Sequence, residues 1–183
     1  MNIPHGGTAV KGINATHING TNGCASEVMM PVLTITDAGA ADLSDVCALL
    51  EAAGLSPEGV AEEISGFLIA REDGRAVAVA GLEDHGSAGL LRSVAVATDR
   101  RNRGLAATLI TMLIERSRAR GDEALYLLTS TAEGYFERFG FWKVDRSDVR
   151  PAVQGSEQFQ GATCRSSAVM VLEFAASSSG KDG

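Results

Sequence analysis

The most informative stretch of this chain is Val94-Ala-Val-Ala-Thr-Asp-Arg-Arg-Asn-Arg-Gly-Leu-Ala-Ala-Thr108. Its pattern predicts a strand that ends near Val96, then a basic turn, then a helix that opens at Gly104. Backbone N–H groups at a helix start carry partial positive charge, and the small Gly104, Ala106 and Ala107 let an anion approach them closely. Three arginines add positive charge at the mouth: Arg100, Arg101 and Arg103. The stretch therefore predicts a pocket for a diphosphate.

Two other kinds of phosphate site do not match this stretch. It lacks the GxxxxGK[ST] sequence of a nucleoside-triphosphate loop and the GxGxxG sequence of a dinucleotide fold. The net charge of −7 argues against a nucleic-acid binder. No apolar run approaches the roughly 18 residues that a transmembrane helix needs. We therefore expect neither a nucleic acid nor a membrane as partner.

The patterned part of the chain is expected to be a single domain over residues 31–174. Residues 1–30 hold five glycines, four asparagines and only two charged residues, which predicts a disordered N-terminal extension. Residues 175–183 are rich in serine and glycine and predict a flexible tail. We see no secretory signal, and the three cysteines are too widely spaced for a CxxC metal pair or a disulfide framework. A cytoplasmic protein without a bound metal is the expectation.

The hydrophobic periodicity inside these bounds predicts a mixed α/β domain. Strands are expected at residues 32–36, 66–71, 76–82, 88–96, 125–128, 141–145 and 168–174. Helices are expected at residues 40–53, 104–120 and 131–139, with one or two helical turns in 151–159. Asp37 is expected to cap the first helix, and Asp73-Gly74 to form a hairpin turn. Glu83 and His85 are placed in a second, solvated turn before the long strand.

Two motifs resemble the GNAT N-acetyltransferases. Arg101-Asn-Arg-Gly104-Leu-Ala106 matches their [Q/R]xxGx[G/A] turn, and Tyr135-Phe-Glu-Arg-Phe-Gly-Phe141 is similar to their late aromatic block. The resemblance covers residues 32–174. It implies the GNAT fold, in which a mixed, mostly antiparallel central sheet is flanked by helices, and an acetyl-CoA-dependent N-acetyltransferase with a small-molecule amine as acceptor. The coenzyme would lie at the splayed end of the long strand.

The same resemblance implies which residues hold acetyl-CoA. The end of the long strand would pair with the pantetheine arm, the turn and the helix start would hold the pyrophosphate, and the late block would add an aromatic side chain and an arginine that could reach the 3′-phosphate. These residues are Val94, Ala95, Val96, Arg101, Asn102, Arg103, Gly104, Leu105, Ala106, Ala107, Phe136 and Arg138. A surface position explains Arg138 equally well.

Acetyl transfer to an amine needs a donor for the oxyanion and a proton for the departing thiolate. The family often uses a tyrosine at the position that aligns with Phe136, and here Tyr135 lies one residue earlier, so either Tyr135 or water is the candidate acid. Ser93 and Thr129 are candidate proton-relay residues, and Thr131 a candidate substrate contact, although strand and cap chemistry also explains them. Arg92 is expected either to clamp an acidic group of the substrate or to form a structural salt bridge.

Within the family, three segments look like the arsenic-resistance acetyltransferases called ArsN: residues 91–96, residues 125–133 and the tail from Arg146 to Cys164. This resemblance implies an organoarsenical amino acid, such as arsinothricin, as the acceptor. An acetyltransferase for an ordinary amino acid such as glutamate is an alternative, and so is a catalytically idle acetyl-CoA-binding module. A nucleic-acid binder using the six arginines of residues 100–120 fits the acidic balance poorly. Family members commonly dimerise, which predicts a homodimer here.

Overall fold

The computed structural model describes residues 31–161 and 166–174. The predicted extension (residues 1–30) and tail (residues 175–183), together with Cys24 and Cys164, lie outside the described residues. Seven strands form one sheet in the order β1-β2-β3-β4-β5-β7-β6. They are β1 (Leu33–Asp37), β2 (Phe67–Glu72), β3 (Arg75–Asp84), β4 (Ala88–Val96), β5 (Ala124–Thr129), β6 (Trp142–Val144) and β7 (Ala168–Glu173).

Every pair of neighbouring strands is antiparallel except β4 and β5, which run parallel. The α-helices of the described residues are α1 (Leu43–Ala52), α2 (Val60–Glu63), α3 (Leu105–Arg120), α4 (Glu133–Glu137), α5 (Pro151–Gln154) and α6 (Glu157–Gln160). A mixed, mostly antiparallel sheet flanked by helices is the predicted fold class, which is thus confirmed. None of these helices is both long and apolar enough to cross a bilayer.

The sheet is covered on both faces because side chains alternate along its strands. Leu68 and Ala70 of β2 belong to the core that α3 closes, whereas Phe67 and Ile69 pack in the core that α1 closes. The apolar face predicted for α3 is buried, at 8% exposure or less: Leu105, Leu109, Ile110, Leu113 and Ile114. Burying a side chain of this size contributes about 1.5–3 kcal/mol, so this face fixes α3 on the sheet.

The hairpin turn predicted at Asp73-Gly74 is present in the structure. Asp73 and Gly74 both have positive φ, at 50° and 83°, which is the backbone of a type I′ turn. That turn joins β2 and β3 as predicted.

Two expectations about local structure are wrong, and one helix was not predicted. Asp37 ends β1 and forms an ion pair with Arg116; the first helical turn is closed instead by Asp42, whose carboxylate accepts from Gly39 N–H at 2.9 Å. Glu83 does not lie in a solvated turn, because β3 extends to residue 84 and buries it. Helix α2 went unpredicted, since a single turn is too short to show a periodicity. The one or two helical turns predicted within residues 151–159 are present as the two short helices α5 and α6.

The parallel pair β4–β5 splits partway along its length. Pairing runs from Ala88↔Ala124 to Leu91↔Leu127 and stops there, although β4 continues to Val96. Just beyond the split, the β3–β4 register shifts so that one extra β4 residue is accommodated. Such a bulge bends its strand and leaves part of the backbone unpaired. The split and the bulge together open the sheet between β4 and β5.

Candidate active site

A cavity of about 760 Å³ occupies the gap between the two strands. Its walls come from the end of β4, the end of β5 with the turn that follows it, the segment after α1, and α6. A second cavity of about 450 Å³ lies at the start of α3. Four residues line both cavities: Val96, Arg101, Ala106 and Tyr135. The two cavities therefore adjoin along the start of α3, which allows one elongated ligand to occupy both.

The second cavity is built around the uncapped start of α3. The first hydrogen bond at this end runs from Thr108 N–H to the Gly104 carbonyl at 3.0 Å. The backbone N–H groups that precede Thr108 therefore have no acceptor within the helix. Gly104 has a φ of +80° and Asn102 a φ of +62°, and both residues line this cavity. A left-handed backbone at these two residues turns the chain sharply from β4 into α3. The resulting concave run of amides can receive an anion.

The three arginines of the turn have different surroundings. Arg100 forms ion pairs with Glu72 and Asp99, and Arg103 lies 3.7 Å from Glu72 without lining either cavity. Arg101 is exposed, lines both cavities and donates from Nε to the Val96 carbonyl at 3.4 Å. Thus Arg101 is the arginine of the turn placed to meet a ligand in both cavities, while Glu72 holds the other two.

The late aromatic block forms one side of the second cavity. Tyr135 packs edge-on against Phe136 and Phe139, with ring centroids 5.7 and 5.5 Å away. The guanidinium of Arg138 lies 5.5 Å from the centroid of the Tyr135 ring, and Arg138 also lines this cavity. Phe136 is buried and lines the first cavity. The sequence neighbours Tyr135 and Phe136 therefore both line the first cavity, and Tyr135 also lines the second.

Ser93 is the bulged residue of β4. It has a φ of +55°, and Ser93 with Val94 fills the place opposite a single β3 residue. A non-glycine residue in this conformation is uncommon and needs support from its surroundings. Because pairing with β5 has ended by this point, the backbone of the bulge borders the first cavity. This is the part of β4 where an amide could serve as an oxyanion donor.

A buried ion pair supports the bulge. Arg92 pairs with Glu83, and both side chains are at most 7% exposed. Arg92 also donates from Nε to Ser93 Oγ at 3.1 Å and from Nη2 to the Glu58 carbonyl at 2.6 Å. The other oxygen of Glu83 lies 3.0 Å from His85 Nε2. Of the two roles expected for Arg92, the salt bridge is present, and Arg92 also lines the first cavity.

Two opposing effects act on the pKa of Glu83. Burial raises the pKa of this carboxyl, but hydrogen bonds from His85 and Arg92 and the charge of Arg92 outweigh burial, so the pKa lies below its ordinary value. Glu83 is therefore an anion at neutral pH and compensates the charge of Arg92.

Five further polar residues of the first cavity form what we call the polar wall: Ser56, Glu58, Thr131, Glu157 and Gln158. Four of them were not predicted as site residues, because they lie in the segment after α1 and in α6, where nothing in the sequence marks a site. The side-chain oxygen of Gln158 is buried without a hydrogen-bond partner among the described residues. Thr131 is exposed, and Thr129 Oγ1 accepts from Ala132 N–H at 3.1 Å, which is cap chemistry.

The arginines at the end of α3 have carboxylate partners away from the cavities. Arg116 pairs with Asp37, Arg118 with Glu115 at 3.2 Å, and Arg120 with Asp122 at 2.6 Å. Arg118 also lies over the Phe174 ring. These arginines hold neighbouring elements together.

A split parallel pair, a bulged strand at the split and an uncapped helix start together form a class of site that can accept an elongated, anionic ligand beside β4. A family model agrees with this class. The model described as the Acetyltransferase (GNAT) family matches residues 45–141, which is more than half of the chain. The chain belongs to the GNAT acetyltransferase family.

Solved structures share this fold at low sequence identity. The N-acetylglutamate synthase of Neisseria gonorrhoeae, in complex with coenzyme A and N-acetyl-glutamate, aligns over 79% of this chain with 22% identity and a TM-score of 0.68. This chain spans 35% of the length of that one. Rv2747 of Mycobacterium tuberculosis, in complex with CoA and NLQ, aligns over 78% of this chain and 99% of its own, with 17% identity and a TM-score of 0.67.

PaiA N-acetyltransferase of Thermoplasma acidophilum, in complex with coenzyme A, aligns over 78% of this chain and 99% of its own, with 14% identity and a TM-score of 0.60. A search of curated protein sequences gave no significant match. At these identities the structural likeness concerns the fold.

Proposed function

We propose that this chain transfers the acetyl group of acetyl-CoA to the amino group of a small molecule. The observation that carries the proposal is the pair of adjoining cavities, which run from the uncapped start of α3 past the bulge of β4 to the polar wall. One end suits phosphate groups, and the other suits a polar acceptor. Between them lies the strand edge, where an extended pantetheine arm can pair with backbone groups.

The residues present fit acetyl-CoA. Amides of residues 101–107 would hold the pyrophosphate, the backbone of Val94–Val96 would pair with the pantetheine arm, and Arg138 would contact the 3′-phosphate. Acetyl-CoA supplies an acetyl group activated as a thioester. A backbone amide of the bulge would donate a hydrogen bond to the developing oxyanion, and Tyr135 or water would give a proton to the sulfur. Ser93 and Thr129 would order a water that takes the proton of the amine.

The finer part of the proposal concerns the acceptor. The likeness of three segments to the ArsN acetyltransferases supports an organoarsenical amino acid, whose acidic group Arg92 would bind together with Thr131 at the polar wall. Glutamate is the alternative. We further propose that the protein acts in the cytoplasm as a homodimer; the last strand, β7, is already paired with β5 and β6, so a contact between the two copies would have to form elsewhere.

The direct test is an acetyl-transfer assay with a thiol-reactive dye. Acetyl-CoA is mixed with an arsinothricin-like amino acid, phosphinothricin, glutamate or a polyamine, and free thiol is followed with time. Thiol release that requires both the protein and one of the amines supports the proposal. Calorimetric binding of acetyl-CoA without thiol release for any amine would favour the idle acetyl-CoA-binding module. Absence of acetyl-CoA binding would refute both.

The role of Arg92 in binding the acceptor has its own test. In an Arg92→Ala variant that remains folded, we expect the KM to rise more for an acidic amine than for an uncharged one. An equal change in both KM values would contradict a clamp on the acidic group.

A further inference from the structure

The Arg92–Glu83 pair is a buried ion pair beside the first cavity. The exposed fraction of its side chains is 5% for Arg92 and 7% for Glu83. Removing two charges from water costs about as much as their attraction returns, so such a pair is weak evidence for stability. A role in positioning explains its presence better than a role in stability, and its contacts indicate what is positioned.

Arg92 ties together two separate segments of the cavity wall. Its Nε bonds to Ser93 Oγ at 3.1 Å and so reaches the bulge, and its Nη2 bonds to the Glu58 carbonyl at 2.6 Å in the segment that leads into α2. A planar guanidinium presents its N–H groups in a fixed fork, so these two bonds set the spacing between the segments. They also leave some of the five N–H groups of Arg92 available to bind the amine substrate.

The backbone next to Glu58 is adapted to this contact. A Cβ atom added to Gly59 would lie 3.3 Å from Arg92 Nη1 and 3.3 Å from Glu157 Oε2. Gly59 also has a φ of +72°, which favours glycine. The segment therefore approaches the guanidinium closely, and Glu157 of the polar wall lies at the same point.

Glu83 holds the guanidinium from the opposite side. One of its carboxylate oxygens accepts from Arg92 Nη1, and the other lies 3.0 Å from His85 Nε2. With both oxygens engaged, the carboxylate has one orientation. Glu83 itself does not line either cavity.

We propose that Glu83 is a positioning residue of the acceptor site, which acts through Arg92 to fix the distance between the Ser93 bulge and the Glu58 segment. The site that accepts the amine is the gap between these two parts of the wall. Glu83 thus sets the geometry of acetyl transfer without touching the substrate. The inference rests on the proposed function where it is tested by acetyl-transfer activity. Where it is tested by amide hydrogen exchange, it depends on the fold alone.

The variant that tests it is Glu83→Gln, with Asp84→Asn as the matched control. Gln is nearly isosteric with Glu, but its single side-chain oxygen can accept from Arg92 or from His85 and not from both. Its NH2 group would then point an N–H donor at the other of these two donors. Asp84 is the next residue of β3, has an exposed side chain and pairs with Arg120 on the surface. Misplacement by about 1 Å can cost up to about 100-fold in rate. We expect a loss in kcat/KM for the amine of up to that size in Glu83→Gln, with the Kd of acetyl-CoA unchanged, and no loss in Asp84→Asn.

A second readout does not depend on activity. Amide hydrogen exchange should become faster in residues 56–60 and 92–96 of Glu83→Gln, and stay unchanged in α3 and in Asp84→Asn. Equal exchange rates, or equal kcat/KM values, in Glu83→Gln and Asp84→Asn would overturn the positioning role. Faster exchange throughout the Glu83→Gln chain would also overturn it, because it would indicate general destabilisation. If the unaltered chain transfers acetyl to no amine, the proposed function fails, and the exchange pattern still decides whether Glu83 fixes the two segments.

Discussion

Replacing Gly104 by alanine tests whether the start of α3 is the pyrophosphate site. Gly104 has a φ of +80°, and an added Cβ would meet no atom within 4 Å. The cost of Gly104→Ala is therefore conformational rather than steric, about 1–2 kcal/mol for an alanine in the left-handed region. For a domain of this size each kcal/mol lowers Tm by about 2–4 °C. The methyl group would also occupy open space at the wall of the second cavity.

The ligand effect should exceed this backbone cost. An anion kept from one backbone amide loses a charge-assisted hydrogen bond of about 1.5–3 kcal/mol. That loss corresponds to an increase of about 10- to 150-fold in the Kd of acetyl-CoA. Isothermal titration calorimetry measures the Kd, and thermal unfolding of the same samples measures the loss of stability.

Gly74→Ala is the matched control. Gly74 has a φ of +83°, and an added Cβ would likewise meet nothing within 4 Å, but the residue lies in the β2–β3 turn outside both cavities. We expect the two variants to lose similar stability and only Gly104→Ala to lose affinity. Equal affinity for acetyl-CoA in the two variants would refute the assignment of the pyrophosphate to the start of α3.

Three further predictions concern single side chains. Tyr135→Phe should lower kcat by about 100- to 10,000-fold without changing the Kd of acetyl-CoA if Tyr135 is the general acid; an unchanged kcat would assign the proton to water. The folded-state pKa of Glu83 lies below its ordinary value of 4.5, so its ionised form stabilises the fold above that pH, and this stability is lost as the pH falls through the folded-state pKa. Urea unfolding between about pH 5 and pH 3 should therefore show a smaller loss of stability in Glu83→Gln than in the unaltered chain, and equal losses would contradict the shift. Glu72→Gln should strengthen acetyl-CoA binding, because it removes a negative charge beside Arg100, which lines the second cavity, and frees Arg100 and Arg103 from their shared partner, whereas the same change at the exposed Glu62 should leave the Kd unaltered.

Expectations that rest on local chemistry agree with the structure. Strand β4 has the predicted bounds, Asp73-Gly74 forms its hairpin turn, and α3 buries the predicted face and ends at Gly121 in a left-handed cap. Each of these depends on neighbours within a few residues, so a single stretch of sequence contains the information. The start of α3 at Gly104 belongs to this class as well, and its binding of a diphosphate stays a prediction.

Expectations that needed partners from distant segments were incomplete. Glu83 was placed in a solvated turn because its own neighbours, Asp84, His85 and Gly86, are typical of a turn. Its burial depends on Arg92 of the neighbouring strand β4, which lies two residues beyond the direct register partner Leu90. A buried carboxylate of this kind is stable only when such a partner is present. The capping role given to Asp37 failed for a similar reason, since Arg116 attracts that carboxylate across 79 residues.

Residue types and their spacing were enough to identify the GNAT family and to predict the turn and helix start that line the second cavity, because a turn and the helix after it are governed by nearby backbone and side-chain chemistry. The polar wall was not accessible in this way. Glu58 and Glu157 are 99 positions apart in the chain, and they line the same cavity only because the tertiary structure brings the segment after α1 and helix α6 to the split between β4 and β5. Contacts between such distant segments follow from how the whole sheet buries its apolar faces, and no local pattern encodes them.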